Sequence, residues 1–318
     1  MAARKRSSNK PTPCTESEMT FGQFIDVFPD HDACLDYLKH RFYPDGMECP
    51  NLSCRRETKF HRITDRGAYS CQYCGHHVYP TAGTIFHKST TSLQLWFWAI
   101  YLMSSTRCGI SAKQLERETG VSYPTAHRMF KLIRTLLSDS DGDPLGGVTG
   151  KVEMDETLIG GKPRAGQVKN RLEGRMFAEK KDKVFGMVER EGQVRVTVIP
   201  DRNAETLKSH AVTHVLPETA VFTDEFKSYY KVGKEFKSHR RIKHKQGIYV
   251  RGDVHTNTIE GFFGLVKTGL LGTYHSVSSE YLQSYLDEYA FRYNRRDGRE
   301  PIFWAILDRV EKDDQLAA

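Results

Sequence analysis

Asp155, Asp224, Glu260 and Lys267 are the residues of this chain whose types and spacing suit chemistry on a phosphate ester. The stretch "VFTDEFKSYY" (221–230) runs through residues suited to a buried strand and then places Asp224 at its end. An Asp there either caps a following helix or marks the carboxyl end of a strand, where open α/β sheets gather their ligands. The second reading needs other carboxylates to converge on the same point. "KVEMDETLIGG" (151–161) is strand-like and carries Asp155, and "HTNTIEGFFGLVKTGLLGTYHSVS" (255–278) begins as a helix and carries Glu260. If the strands of Asp155 and Asp224 are neighbours, the two carboxylates face each other and Glu260 reaches toward both. Three carboxylates in one pocket repel one another unless cations occupy it. Hard oxygen donors at this density suit Mg²⁺ or Mn²⁺. Two such ions roughly 4 Å apart would activate an attacking oxygen and stabilise the leaving one at a phosphodiester. Lys267 follows Glu260 by seven residues, two helical turns along the same face, where it would meet the phosphate backbone. Glu156, next to Asp155 on a strand, points to the opposite face; the direction of Glu225, at a strand end, stays open.

The elements that must position these groups follow from periodicity. "KVFGMVER" (183–190) and "QVRVTVIP" (193–200) alternate, are rich in valine, and are expected to pair as neighbouring strands. "AETLKSHAVTHVL" (204–216) suits a helix, and "AVFTDEF" (220–226) returns to a strand. Strands first, then a helix, another strand and further helices predict an α/β domain with a mixed sheet. In the last long helix, "SEYLQSYLDEYAFRYNRR" (279–296), Leu282, Tyr285, Leu286, Tyr289 and Tyr293 recur at helical steps and read as core packing.

A second chemistry lies nearer the N-terminus. Of seven cysteines, Cys49 and Cys54 form "CPNLSC" and Cys71 and Cys74 form "CQYC", with 16 residues between the pairs. Two short-spaced pairs at this distance predict a tetrahedral Zn²⁺ site with four thiolate ligands, a structural site because no position is left for water. The metal would join two hairpins too small to hold a core alone. Cys34, in "DHDACLDYLKHRF", reads as a core residue.

Between the two lies "ISAKQLERETGVSYPTAHRMFKLIRTLL" (110–137). Ser111 is expected to cap a first helix, "TGVS" to turn, and Ser122 to cap a second helix with Pro124 in its first turn. Ala126, Met129, Phe130, Ile133 and Leu137 fall on its buried side, which leaves Thr125, His127, Arg128 and Lys131 outward. This matches a helix-turn-helix whose second helix meets DNA. "SDSDGDPLGGVTG" (138–150) reads as the linker at a domain boundary.

The formal charge of +7 is clustered. Residues 162–183 hold eight Lys/Arg against three Asp/Glu, residues 234–251 hold seven against one, and "RKRSSNK" (4–10) reads as a disordered basic arm. Several such runs in one chain point to a polyanionic partner. The longest apolar run, "LWFWAIYLM" (95–103), falls short of the roughly 20 residues that span a bilayer and reads as a buried helix. With no apolar signal core at the N-terminus, a cytoplasmic, nucleoid-associated protein is expected.

Taken together, these motifs resemble the DDE transposases of the RNase H-like superfamily, with 35 residues between Asp224 and Glu260 and seven from Glu260 to Lys267. More narrowly, "CPNLSC…CQYCGHHVYPTAGTIFHKSTTSLQLWFWAIYLM", "VEMDETLIGGK", "FTDEFKSYY", "NTIEGFFGLVKTGLLGTYHSVS" and "YLDEYAFRYNRR" are similar to the zinc-ribbon DDE transposases of bacterial insertion sequences. The resemblance covers about residues 20–300. It implies an enzyme that binds the terminal inverted repeats of its element, cuts DNA strands and joins 3′-hydroxyl ends to target DNA, working as a homo-oligomer on DNA. Some members of that group have Asn as the third residue, so Asn257 stands beside Glu260 as a candidate; Asn257 also suits a helix cap. The expected layout is a basic arm (1–20), a zinc ribbon with a leading helix (21–88), a helix-turn-helix region (89–140), an RNase H-like catalytic domain (151–300) and a C-terminal helix and tail (301–318). The alternative function is a non-catalytic DNA-binding regulator derived from a transposase. A nuclease of the same superfamily that cuts without joining is a third.

Overall fold

The computed structural model describes residues 19–106, 108–138, 142–161, 176, 179–243, 250–298 and 300–313. The basic arm, most of the basic run 162–183, residues 244–249 of the second run and the last residues of the tail lie outside the described residues. The chain divides into two compact units, one formed by residues up to 105 together with those from 297 onward, the other by 106–296.

In the first unit, Thr20 and Gln23 form a reciprocal capping box that starts helix α1 (Phe21–Val27). Asp30 accepts from Ala33 N and starts α2 (His31–Phe42). Three short strands, β1 (Phe60–Ile63), β2 (Ala68–Cys71) and β3 (His77–Val78), pair antiparallel in that order. Helix α3 (Leu93–Ser105) contains the long apolar run; Trp96, Phe97, Ala99, Ile100 and Met103 are buried. It packs against a C-terminal helix, Ile302–Leu307, through a cluster of rings that includes Phe24, Phe28, Trp98 and Phe303. Cys34 is fully buried, as its amphipathic setting predicts.

The second unit opens with α4 (Ala112–Thr119) and α5 (Tyr123–Thr135). Ser111 caps α4 by accepting from Gln114 N at 3.1 Å, and Gly120 ends it in the left-handed region at φ 71°. Ser122 occupies the capping position of α5 with Pro124 in the first turn, but its side chain does not make the expected capping bond; its hydroxyl lies 3.0 Å from that of Thr125 instead. Then come β4 (Lys151–Ile159), β5 (Asp182–Glu189), β6 (Val194–Ile199), α6 (Ala204–His214), β7 (Ala220–Thr223), α7 (Tyr229–Val232), β8 (Ser238–Arg241), α8 (Asn257–Gly269), a π-helical turn at Leu270–Tyr274 and α9 (Ser279–Asn294). The sheet order is β6-β5-β4-β7-β8, antiparallel through β6, β5 and β4 and parallel from β4 to β8. Strand alternation divides the apolar residues between two faces. Val152, Met154, Phe185 and Val221 pack with Leu207, Ala211, Tyr229 and Val232 of α6 and α7. Val184, Val188, Val194 and Val196 pack with Ile259, Phe262 and Val266 of α8 and Leu282, Leu286 and Tyr289 of α9. This is the mixed-sheet, RNase H-like α/β arrangement the motifs imply.

The observed division departs from the expected layout. Residues 89–105 belong with the ribbon, whereas α4 and α5 belong with the sheet. Helices α5 and α9 pack together around a buried ion pair: Arg134 Nε lies 2.6 Å from Glu288 Oε2, with Arg134 and Glu288 at 4% and 0% exposure. Arg292 Nη1 lies 2.6 Å from the other oxygen, Glu288 Oε1, and the Tyr274 hydroxyl donates to Glu288. The Arg134 guanidinium is sandwiched by the rings of Phe130 and Tyr285, at 3.7 and 3.4 Å to their centroids. A linker-like composition at 138–150 therefore does not separate these helices from the sheet, because a desolvated charge pair spans it. Removing one partner of such a pair strands the other in a dry interior. Arg134→Met is expected to destabilise the protein by about 3 kcal/mol, at the lower end of the usual range because Arg292 still faces Glu288. The shift in urea midpoint checks this.

Candidate active site and metal centre

The acidic site is assembled from three elements of the second unit. Parallel pairing aligns Lys151 with Ala220, Val152 with Val221 and Glu153 with Phe222. Carried two residues on at the same offset, Asp155 on β4 falls level with Asp224, which follows directly after β7. Adjacent strands lie about 4.8 Å apart, so the two carboxylates leave the backbone as near neighbours. Asp224 Oδ1 accepts from Phe226 N at 2.8 Å, a turn that stops the strand at this point. Asp224 therefore ends the strand and does not cap the following helix, whose capping position is held by Ser228.

Glu260 lies in the first turn of α8, and α8 crosses the same face of β4 and β5. Gly186, paired opposite Asp155, makes that close crossing possible. A Cβ there would meet Ile259 Cδ1 and Phe263 Cζ at 2.7 Å. Burial, followed by the negative charges of Glu156 and Asp224 and further by Glu260, raises the Asp155 carboxyl to about 8. One residue on, the Glu156 side chain turns to the other face, where its Oε2 accepts from the Tyr229 hydroxyl at 2.6 Å and Arg202 lies 3.6 Å from Oε1.

Asp155 and Asp224 thus leave adjacent strands as near neighbours, and Asp155 feels the charge of Glu260, which is exposed on α8. Lys267 sits exposed near the end of α8 and lines a small cleft of about 180 Å³ with Leu158, Ile159, Gly160 and Gly161, the end of the strand that carries Asp155. Asn257 is exposed as the first residue of α8; Thr256, not Asn257, occupies the capping position. Thr125, His127, Arg128 and Lys131 lie on α5, separate from the carboxylates; the last three are exposed. Two groups went unnoticed in the sequence. Arg134 sits on the apolar side of α5 and was hidden by the helix's regular pattern. Glu153 fills a strand position that alternation alone leaves open.

In the first unit, Cys49, Cys54, Cys71 and Cys74 converge, with all four sulfurs within 4.8 Å of one another. Cys49 Sγ lies 3.4 Å from Cys74 Sγ, and Cys54 Sγ lies 4.0 Å from Cys71 Sγ. Sulfurs bound at about 2.3 Å to one tetrahedral ion would stand about 3.8 Å apart, so the cluster fits a single zinc. Backbone N–H groups of Cys74 and Tyr73 lower the Cys71 thiol to about 7, whereas burial raises those of Cys49 and Cys54, so a metal would have to displace their protons.

The mixed sheet and the four-cysteine cluster are those of an RNase H-like domain and a zinc ribbon. The profile of the ISXO2-like transposase domain matches residues 147–294, and that of the transposase zinc-ribbon domain matches residues 29–77. A protein described as an uncharacterized protein in transposable element ISH50 of Halobacterium salinarum is 30% identical over 295 residues, covering 87% of this chain and 96% of that one. The chain belongs to the insertion-sequence transposases that carry an N-terminal zinc ribbon. Among the described residues no helix is long and apolar enough to cross a membrane.

Two outcomes follow. Because folded Asp155 keeps its proton to higher pH than the unfolded chain, stability falls as pH rises from the ordinary carboxylate range to about 8. In zinc-loaded protein without Mg²⁺ or Mn²⁺, Asp155→Asn should therefore melt higher than wild type at pH 8, and the gap should close toward pH 5. A gap that does not change with pH would show that the carboxyl is not perturbed. For the cysteines, metal analysis should find one zinc per chain, and Cys71→Ser or Cys74→Ser should lose it and expose residues 45–80 to limited proteolysis.

Proposed function

We propose that this chain is the transposase of its own mobile element: it binds the element's terminal inverted repeats and performs metal-dependent strand cleavage and strand transfer into target DNA. The observation that carries this reading is the β4–β7 register that sets Asp155 level with Asp224, with Glu260 in the first turn of the helix packed on β4. An all-oxygen site in which burial first, and neighbouring like charges next, hold a proton to about pH 8 is one that a hard divalent cation relieves, and Mg²⁺ or Mn²⁺ fits its donors. Asp155, Asp224 and Glu260 would hold the ions. When bound, they supply an activated attacking oxygen and charge stabilisation at the leaving one.

The remaining work falls to the chain's own residues. Lys267, on the exposed face of α8 seven residues beyond Glu260, pairs with the DNA backbone beside the reacting phosphate. Glu260 is favoured over Asn257 as the third ligand because Asp155 feels its charge and because a carboxylate holds Mg²⁺ better than an amide. Helix α5 presents His127, Arg128 and Lys131 to DNA, with Thr125 near its start, and Tyr123 and His127 line a cleft of about 730 Å³ with Lys113 and Arg117. The four cysteines hold a structural zinc that shapes the ribbon for end recognition. Joining two ends calls for at least two copies of the chain on DNA.

The test uses purified zinc-loaded protein, a DNA fragment bearing the element's ends, and Mg²⁺. Wild type should cut the ends and join them to a target plasmid. Asp155→Asn and Asp224→Asn should bind the ends with unchanged affinity and yield no cut product. Full cutting by either variant would remove the catalytic assignment and leave the DNA-binding regulator. Glu260→Gln should abolish cutting, whereas Asn257→Ala should retain it.

A further inference from the structure

Helix α8 starts without a local side-chain cap. Thr256 stands at the capping position, but its side chain makes no capping bond. Its hydroxyl instead donates to Glu260 Oε1 at 2.8 Å. The N–H groups that a cap normally satisfies belong to the second and third helical residues, here Thr258 and Ile259. Both donate to Glu153 Oε2, at 2.8 and 3.1 Å. Glu153 is fully buried on β4, two residues before Asp155 and on the same side of the sheet. Its other oxygen, Oε1, accepts from Arg190 Nε at 2.7 Å and from the Thr258 hydroxyl at 3.0 Å, and His255 Nδ1 lies 3.1 Å away. Arg190 in turn donates to the carbonyls of Asp253 and His255 in the segment leading to α8, and lies over the Phe222 ring of β7 at 4.3 Å.

We propose that Glu153 and Thr256 are positioning residues of the carboxylate site. This rests on the metal-binding reading above. Glu153 caps α8 from the strand, and that releases Thr256 to fix the Glu260 carboxylate in one orientation. The logic is one of competition for a single oxygen. A threonine that caps its own helix turns Oγ1 back to the N–H of the second or third residue, and from there it cannot also hold a carboxylate four residues on. A buried anion at the helix start takes over those donors with charge-assisted bonds and the favourable end of the helix dipole. Because that anion is on β4, the cap also ties the element bearing Glu260 to the element bearing Asp155. Displacements of an ångström at such a site are costly, and outer partners of metal ligands commonly change affinity by about 10–100-fold.

Mn²⁺ binding to the full-length, zinc-saturated protein, read from the free-ion paramagnetic resonance signal at one fixed pH without DNA, separates the possibilities. Thr256→Val keeps the shape and removes the hydroxyl, and should weaken Mn²⁺ binding about tenfold. Thr256→Ser should restore it. Glu153→Gln should weaken it to a similar extent; should that variant fail to fold, the Val/Ser pair decides alone. Asp155→Asn is the control for the underlying site and should lose binding. If Thr256→Val binds Mn²⁺ like wild type while Asp155→Asn does not, the positioning role is refuted and the metal site stands. If Asp155→Asn binds Mn²⁺ like wild type, the metal site itself is refuted.

Discussion

Parallel pairing between β4 and β7 sets the geometry of the acidic site. Side chains on adjacent parallel strands stand side by side only where the register lets them, and a slip of one residue would turn Asp155 or Asp224 to the opposite face. Apolar neighbours maintain that register. Val152 and Val221 are aligned across the pair and fully buried against α6 and α7. Any slip would push both into the wrong layer. The repulsion between the two carboxylates is thus opposed by packing on the far side of the sheet.

The third carboxylate arrives on a helix, and a helix slides more easily than a strand. Two features limit that freedom. Gly186 removes the side chain that would hold α8 off the sheet, and Ile259, Phe262 and Val266 bury the inward face of the helix. What remains outward, Glu260 and Lys267 among them, is the polar half of the same amphipathic pattern. Packing and chemistry are therefore linked: the residues that seat the helix determine which way the charged ones point.

The two candidate metal sites follow opposite principles. The ribbon presents four soft, sulfur donors at tetrahedral spacing, and its short strands β1 to β3 have little core of their own, so metal and fold depend on each other. The acidic site presents hard oxygens on a sheet that two packed layers already hold in place.

Much of this was legible from the residues. Cysteine spacing announced the ribbon, valine-rich alternation announced β5 and β6, and the apolar steps of α5 and α9 predicted their buried faces. These signals are local: each depends on the period of one element or the reach of one turn. The strand-end position of Asp224 was also readable, because a strand must stop where its apolar run stops. Tertiary structure decided which strands became neighbours, and hence that Asp155 and Asp224 stand level. It decided that α4 and α5 belong with the sheet, since a buried pair such as Arg134 and Glu288 leaves no mark in either helix's periodicity. It also decided that Thr256 starts α8 while Glu153, about a hundred residues earlier, caps it. A cap is ordinarily a local contact that sequence can foretell; supplied from a distant strand, it exists only once the chain has folded.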